Sequence, residues 1–269
     1  MLRPALLASL LLPATVHAET TPTPPAELFE SDGQASSWSI GIGLGVRDSP
    51  YAGEDLRVRP LPVLTYEGER FFWRGRYGGV HLLEKGPFTL DAVLVARLDG
   101  FDIKDDLGRR QLLANGLDPD LMEDRDDGLD AGFALSVHGR AGELELEART
   151  DITDASGGHE VTLDYRYALH WGRTVVVPGV GVSWMSSDLA NYYYGTLGSE
   201  VARGVPAYRP GSVATPHASI GFSRAIGGKW RAIGALSYEF LPDRISDSPL
   251  LDPDTSGVPR LSIAFFRSF

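Results

Sequence analysis

The sequence has no cysteine among its 269 residues, so disulfide bonds take no part in its stability. Small exported domains below about 80 residues commonly depend on disulfides because their cores are too small. A closed β-barrel of the present length does not need them. The same length would also fit two ordinary domains.

Basic residues are fewer than acidic ones. The chain carries 25 Lys and Arg against 36 Asp and Glu, a net charge of -11. Binding to nucleic acid requires clustered basic residues, so the balance argues against a nucleic-acid partner. It also argues against simple electrostatic adsorption to an anionic lipid surface.

Long apolar runs are missing beyond the first residues, so no later segment predicts a membrane-spanning helix. This absence does not exclude a membrane protein. Strands that cross a bilayer alternate apolar and polar residues, and each one has only a weak hydropathy signal.

The first residues predict a secretory signal peptide. Arg3 precedes a short apolar run that ends at Leu12, and Val16-His17-Ala18 has the small residues of a cleavage site. We therefore assign residues 1–18 to the signal peptide. Residues 19–36, which include the Pro-rich stretch TTPTPP, predict a flexible periplasmic lead-in.

Period-two alternation dominates the remaining chain, 37–269, and a helical period is rare. Trp38, Ile40, Ile42, Leu44 and Val46, for example, alternate with serine, glycines and an arginine. Strands with one apolar and one charged face occur in soluble sandwiches, in lipocalin-like barrels and in barrels that lie in lipid.

The connections favour the last of these. Tight turns are predicted at 84–86, 140–142, 171–173 and 226–229, and long connections near 47–56, 99–128, 187–211 and 241–257. Alternation of short and long connections predicts an all-β fold, an antiparallel transmembrane β-barrel of about 12 strands with short periplasmic turns and long extracellular loops. We place the strands near 37–47, 57–67, 69–75, 76–84, 87–98, 129–139, 142–153, 158–170, 173–185, 212–225, 229–240 and 259–269.

The distribution of side chains agrees with this fold. Aromatic residues near strand ends are expected to form girdles at the membrane interfaces: Trp38, Phe88, Trp171, Trp230, Phe240 and Phe269. The last strand places Leu261, Ile263, Phe265, Arg267 and Phe269 on one face, which resembles the sorting strand of outer-membrane barrels apart from Arg267. Charged residues on the other faces are expected to fill the lumen and to pair across the bore: Arg47, Arg97, Glu143, Glu145, Glu147, Arg149, Asp164, Arg166 and Glu239.

The sequence offers no candidate catalytic, cofactor-binding or metal-ligating residue. Residues 118–128 resemble a calcium loop, but Arg125 occupies a position that needs an oxygen ligand. The acidic segment 99–130 is therefore expected to be a solvated outer loop. The histidines are scattered and no nucleophile elbow is present, although a triad assembled by a barrel would not be local in sequence.

Several segments together resemble the MltA-interacting protein family, also called the outer-membrane protein V family. They occur in family order: 48–55 (DSPYAGED), 59–66 (RPLPVLTY), 70–73 (RFFW), 151–158 (DITDASGG), 178–184 (PGVGVSW), 191–195 (NYYYG), 204–210 (GVPAYRP) and 246–250 (SDSPL). The prolines at 60, 62 and 178 predict bends or bulges. The tyrosines at 192–194 are expected to pack a long loop over the barrel mouth rather than to bind a ligand.

The resemblance implies an outer-membrane location, no enzymatic activity and no cofactor. It implies a scaffold that links a lytic transglycosylase to a murein synthase, in contact with outer-membrane lipid and lipopolysaccharide. A small porin-like channel or an adhesin-like surface protein is the alternative. The inward charges and the long loops predict a lumen closed to all but ions or small metabolites.

Overall fold

The computed structural model describes residues 37–54 and 56–269; the predicted signal peptide and the whole predicted lead-in lie outside the described residues. The strands are β1 (Ser37–Arg47), β2 (Arg57–Glu67), β3 (Phe71–Arg74), β4 (Tyr77–Lys85), β5 (Phe88–Arg97), β6 (Gly128–Gly139), β7 (Gly142–Asp151), β8 (His159–Arg166), β9 (Leu169–Trp171), β10 (Thr174–Met185), β11 (Val213–Gly227), β12 (Trp230–Phe240) and β13 (Gly257–Ser268).

Short helices occupy the long connections: α1 (Arg109–Ala114), a 3-10 helix (Pro119–Leu121), α2 (Ser187–Tyr194), α3 (Gly198–Ala202) and α4 (Asp243–Ser246). Within the described residues, none of the helices is both long enough and apolar enough to cross a bilayer.

The strands form one closed antiparallel sheet. Neighbours in sequence pair with each other, and β1 closes the ring by pairing with β13, from Ser39 opposite Ser268 to Arg47 opposite Arg260. β8 and β9 both pair with β10 and share one position in the wall, so the barrel has twelve strands. The predicted architecture is confirmed, and most predicted strand bounds agree with the observed ones within two residues.

Proline explains the break between β8 and β9. The Tyr167 amide donates to the Pro178 carbonyl at 3.1 Å, but Pro178 has no N–H to return the bond. No bulge is present at Pro60 or Pro62, contrary to that part of the prediction, because β1 and β2 pair in unbroken register over all of β2. The register shifts occur instead between His81 and Leu83 and between Ala225 and Gly227.

The two ends of the barrel differ. Short connections at 68–70, 86–87, 140–141, 172–173 and 228–229 lie at one end, here called the turn end. The other end, the loop end, carries the connections 48–56, 98–127, 152–158, 186–212 and 241–256. One connection departs from the prediction that every tight turn lies at the turn end: Gly75-Arg76 joins β3 to β4 on the loop side. β3 has only four residues, so this hairpin ends well below the loop end of β2.

The outward face of the wall is apolar. Ile42 is 75% exposed, and Leu44, Phe133 and Val180 are each more than half exposed. The six predicted girdle aromatics all point outward, but their distribution is uneven. Trp38, Phe88, Trp171, Trp230 and Phe269 lie at the turn end, whereas only Phe240 lies at the loop end.

The seam between β1 and β13 is packed closely on its inner side. A Cβ atom added to Gly41 would lie 2.5 Å from the Cβ of Phe266, so only glycine leaves room for this ring. Phe266 is fully buried and packs in the lumen with Val177, Ile233 and Ala264. The glycines of β1 therefore allow a large apolar side chain to sit against the wall.

Candidate functional site

The long connections at the loop end pack on one another and form what we call the cap (residues 48–54, 98–127, 186–212 and 241–256). Its core is apolar and includes Phe101, Leu112, Leu189, Ile245 and Leu250, all nearly or fully buried. Backbone hydrogen bonds join its parts, for example from Ala52 to the Leu250 carbonyl at 2.9 Å and from Gly108 to the Ala52 carbonyl at 2.8 Å. The cap is thus a folded layer over the mouth.

A buried ion pair joins the two longest parts of the cap. Arg125 donates to both carboxylate oxygens of Glu200, at 2.9 and 3.1 Å, and both side chains are fully buried. Arg125 also donates to the carbonyls of Tyr192 and Gly195, at 2.7 and 3.2 Å. Glu200 accepts further bonds from the backbone amides of Glu123 and Leu197. Hence the residue that rules out a calcium loop in the sequence has a structural role.

The tyrosines of 192–194 belong to the cap, as predicted. The Tyr193 hydroxyl donates to the Asp126 carbonyl at 3.1 Å, and the Tyr192 hydroxyl accepts from the Asp126 amide at 2.8 Å. Tyr194 stacks on Tyr51 with ring centroids 6.1 Å apart. Burial raises the pKa of the Tyr193 phenol, which therefore stays protonated.

The acidic segment is packed more closely than a solvated loop. Its carboxylates accept backbone hydrogen bonds: Asp124 from Ile103 at 2.8 Å and Asp127 from Gly100 at 2.9 Å. An Arg203 hydrogen bond to Glu123, at 2.6 Å, lowers the pKa of that carboxyl, and Ser199 adds a second bond. The expectation of a simple solvated loop needs correction, because these polar groups hold an apolar layer in place.

Beneath the cap, the lumen contains a first cluster of paired charges. Arg97 donates to Asp130 at 3.0 Å and to Glu160 at 2.7 Å. Arg149 also binds Glu160, at 2.7 Å, while Tyr77 donates to Glu147 at 2.8 Å. These contacts link β4 to β8 across the inner face, and nearly all the groups are buried.

A second cluster lies towards β10–β13. Arg166 contacts Asp164 at 3.2 Å and Glu145 at 3.4 Å, and His217 contacts Asp164 at 2.8 Å. Arg260 contacts Glu239 at 2.9 Å. All nine charged residues predicted to face the lumen are buried or partly buried there.

The charges pair chiefly between strands that neighbour one another, whereas pairing across the bore was expected. Asp130, Glu160, His217 and Arg260 belong to the same clusters and were not predicted. Alternation along their strands was the signal that could have identified them, because each lies on the face of its strand opposite the apolar, outward residues.

Between the clusters and the cap remains a cavity of about 70 Å³, lined by residues such as Arg149, Arg166, Glu239 and Tyr194. A water molecule needs roughly 10–15 Å³ of such volume, so the cavity has room for only a few waters. Towards the turn end the lumen is lined by the apolar cluster around Phe266. The barrel is therefore a wall with a charged, narrow interior and a folded cap.

No catalytic arrangement emerges among these residues. Within the described residues, no group of three or more His, Asp or Glu side chains is placed to hold a metal ion. The absence of catalytic, cofactor and metal residues stays a prediction. His81 contacts Asp91 at 2.7 Å and Glu84 at 4.0 Å, and His217 contacts Asp164 at 2.8 Å. The pairs with Asp91 and Asp164 face the lumen.

The fold, the apolar outward face and the unequal ends define a class, the β-barrels of the bacterial outer membrane. Comparison with known proteins narrows this class. The model of the family "MltA-interacting protein MipA" matches residues 40–269, and the chain belongs to that family. The protein is accordingly an outer-membrane protein, with its turn end in the periplasm and its loop end outside.

Three relatives illustrate the match. The MltA-interacting protein of Escherichia coli K12 is 31% identical over 229 residues, covering 85% of this chain and 89% of the relative. The outer membrane proteins Omp26La of Vibrio anguillarum and OmpV of Vibrio cholerae are each 22% identical over 252 residues, covering 83% of this chain and 98% of the relative. Among solved structures, the NanC porin covers 85% of this chain and is itself covered to 98%, with 8% identity and a TM-score of 0.44.

Proposed function

We propose that the protein is a non-enzymatic scaffold of the outer membrane that holds a murein-degrading lytic transglycosylase, and with it a murein synthase, at the periplasmic face. The observation that carries the proposal is the obstructed lumen, with a packed cap above and paired charges below. Such a barrel suits a rigid platform better than a pore. The relative named for an interaction with MltA supports the same assignment.

The periplasmic face offers a surface for such a partner. Although the chain is acidic overall, exposed basic residues predominate at the turn end: Arg70, Lys85, Arg140, Arg173, Arg224, Lys229 and Arg267. In the turns among the described residues, the exposed acidic side chains are Glu69 and Glu84. We call the seven basic residues the basic rim. Its charge would guide association with a partner that has an acidic surface.

The part of the chain before β1 would belong to the export signal and to the periplasmic side of the scaffold. Residues 1–18 would be removed during export and residues 19–36 would form a lead-in on the periplasmic side, because β1 begins at the turn end. Residues 37–269 would then be the mature barrel. The lead-in would then share the periplasmic side with the basic rim, where a murein enzyme would bind.

Binding of a purified lytic transglycosylase to the barrel in lipid nanodiscs tests the scaffold. Reversal of three rim charges, with Arg140→Glu, Arg173→Glu and Lys229→Glu, should weaken binding several-fold. The matched control reverses three exposed basic residues of the cap, Lys104, Arg110 and Arg209, and should leave binding unchanged. Failure of the wild-type barrel to bind any murein enzyme would contradict the proposal.

A small channel remains the second candidate, and the charged cavity favours it. Groups of both signs line this space, which could pass ions if the cap opened. Planar-bilayer recording distinguishes the two candidates. Large and stable single-channel currents from the purified protein would favour the channel, and their absence together with partner binding would favour the scaffold.

A further inference from the structure

The barrel wall is incomplete on its loop side. β2 pairs with β1 along its whole length, but its ladder with β3 covers only Thr65 to Glu67. The short β3–β4 hairpin ends at Gly75-Arg76. Seven residues of β2, 57–63, thus lie above the ladder, about 23 Å along the strand. In the described part of the chain no other strand pairs with this edge, which we call the β2 notch.

The backbone groups in the notch are unusual for a free strand edge. The Leu64 carbonyl accepts from the Gly75 amide at 3.2 Å, so even-numbered residues of β2 direct their backbone groups to this side. These residues are Val58, Pro60 and Pro62. Two of the three are prolines and have no N–H. The edge therefore offers three carbonyl acceptors and a single donor.

The surroundings of the notch are apolar. Leu56, Val58 and Leu64 are 59%, 58% and 45% exposed on the outward face, and Pro60 and Pro62 are exposed beside them. Unpaired backbone groups are costly in hydrocarbon, because lipid tails cannot donate hydrogen bonds. A bound molecule that has hydrogen-bond donors next to apolar chains would pair with the backbone carbonyls of the notch and would cover its apolar side chains.

The notch excludes one obvious occupant and favours another. A second copy of this chain could pair only poorly with an edge that has lost two donors. The loop half of the wall lies in the outer leaflet, where the lipids have acylated amino-sugar headgroups. We propose that the β2 notch binds the lipid A portion of lipopolysaccharide, whose amide and hydroxyl groups donate to the carbonyls of Val58, Pro60 and Pro62 while its acyl chains lie on Val58 and Leu64.

Site-specific photo-crosslinking tests this site and does not depend on the scaffold function. A benzophenone amino acid replaces Pro62, and the control probe replaces Val180, which points outward and has a paired strand on each side, with Tyr165 and Ala218 opposite it. Each residue lies five positions from the loop end of its strand, so the two probes sample the same depth. A second pair, Val58 and Trp184, lies one position from the end and keeps the test valid if one variant fails to fold.

The expected result in outer-membrane vesicles is lipopolysaccharide attached several-fold more at 62 and 58 than at 180 and 184. Equal labelling at probe and control positions would mean ordinary lipid contact and would overturn the proposal. Crosslinks to a second copy of the chain, or to phospholipid in place of lipopolysaccharide, would overturn it as well.

Discussion

At the scale of single residues, buried charge is the feature of this protein with the largest energetic consequences. Arg125 and Glu200 meet in the cap without any exposed surface, and each has further hydrogen bonds to backbone groups. Removing one partner of such a pair leaves the other charged and buried, which typically costs about 3–5 kcal/mol. An exposed pair contributes far less because water screens it.

Arg125→Met is therefore expected to loosen the cap strongly. Limited proteolysis of the folded barrel should cut within 98–127 or 186–212 much faster than in the wild type. The control is Arg109→Met, which removes the exposed pair of Arg109 with Asp120 and should not change the cutting rate. The double variant Arg125→Met/Glu200→Met should recover part of the protection, and equal cutting in all four proteins would contradict the assigned role.

Glu123 predicts a dependence of the cap on pH. Its hydrogen bond from Arg203 lowers its pKa in the folded protein, so its contribution to stability is present above the ordinary carboxyl pKa and is lost as the pH falls through the lowered value. Proteolysis at acidic pH, with an acid-active protease, should show increasing cutting of the cap. The Glu123→Gln variant should be cut at nearly the same rate at acidic and at neutral pH. A wild-type cap that is equally protected throughout would refute this reading.

At the scale of elements, the closing seam depends on small residues in β1. Gly41→Leu would place a side chain where Phe266 and the β13 backbone already lie, and overpacking of this kind typically costs about 1–3 kcal/mol. We expect less folded barrel, measured as the heat-modifiable band in gels. Gly139→Leu is the matched control, since a Cβ at Gly139 in β6 meets nothing within 4 Å. Equal loss of folded barrel in both variants would count against the seam.

The break between β8 and β9 allows a second test at the scale of elements. Pro178→Val supplies an N–H opposite the Tyr167 carbonyl and should join the two segments, with a gain of about 1 kcal/mol. Hydrogen exchange at residues 167–169 should slow. Pro62→Val is the control, because its new N–H would face the β2 notch, where no strand is opposite, and should bring no gain.

At the scale of the whole molecule, the lumen is narrowed at several levels. Glu145 and Glu147 line the cavity, but the cap lies above them and the Phe266 cluster lies nearer the turn end. Replacement of both glutamates by glycine should therefore leave single-channel conductance close to that of the wild type. Adding both Arg125→Met, which loosens the cap, and Phe266→Ala, which shortens the apolar cluster, should raise the conductance. A large increase from the two glycines alone would show that these side chains form the main barrier.

Much of this molecule was predictable from local patterns. Alternation assigned Trp38, Ile40 and Ile42 to the outward face and Arg97 and Glu147 to the lumen, because period two is a property of the strand itself. The alternation and the lengths of the connections predicted about twelve strands and two unlike ends, and short sequence segments predicted the family. All three predictions are confirmed.

Other features were decided only when distant segments met. The pair of Arg125 and Glu200 joins residues 75 positions apart, and no local pattern distinguishes these two from solvated charges. The β2 notch depends on the length of the β3–β4 hairpin, so Pro60 and Pro62 suggested bulges although they lie in unbroken register with β1 on an edge that β3 does not reach. The sequence by itself determined which side chains of each strand point outward and which point into the lumen. The tertiary structure decided which loops pack, which charges pair and where the wall stays open, because those outcomes depend on distances between residues far apart in the chain.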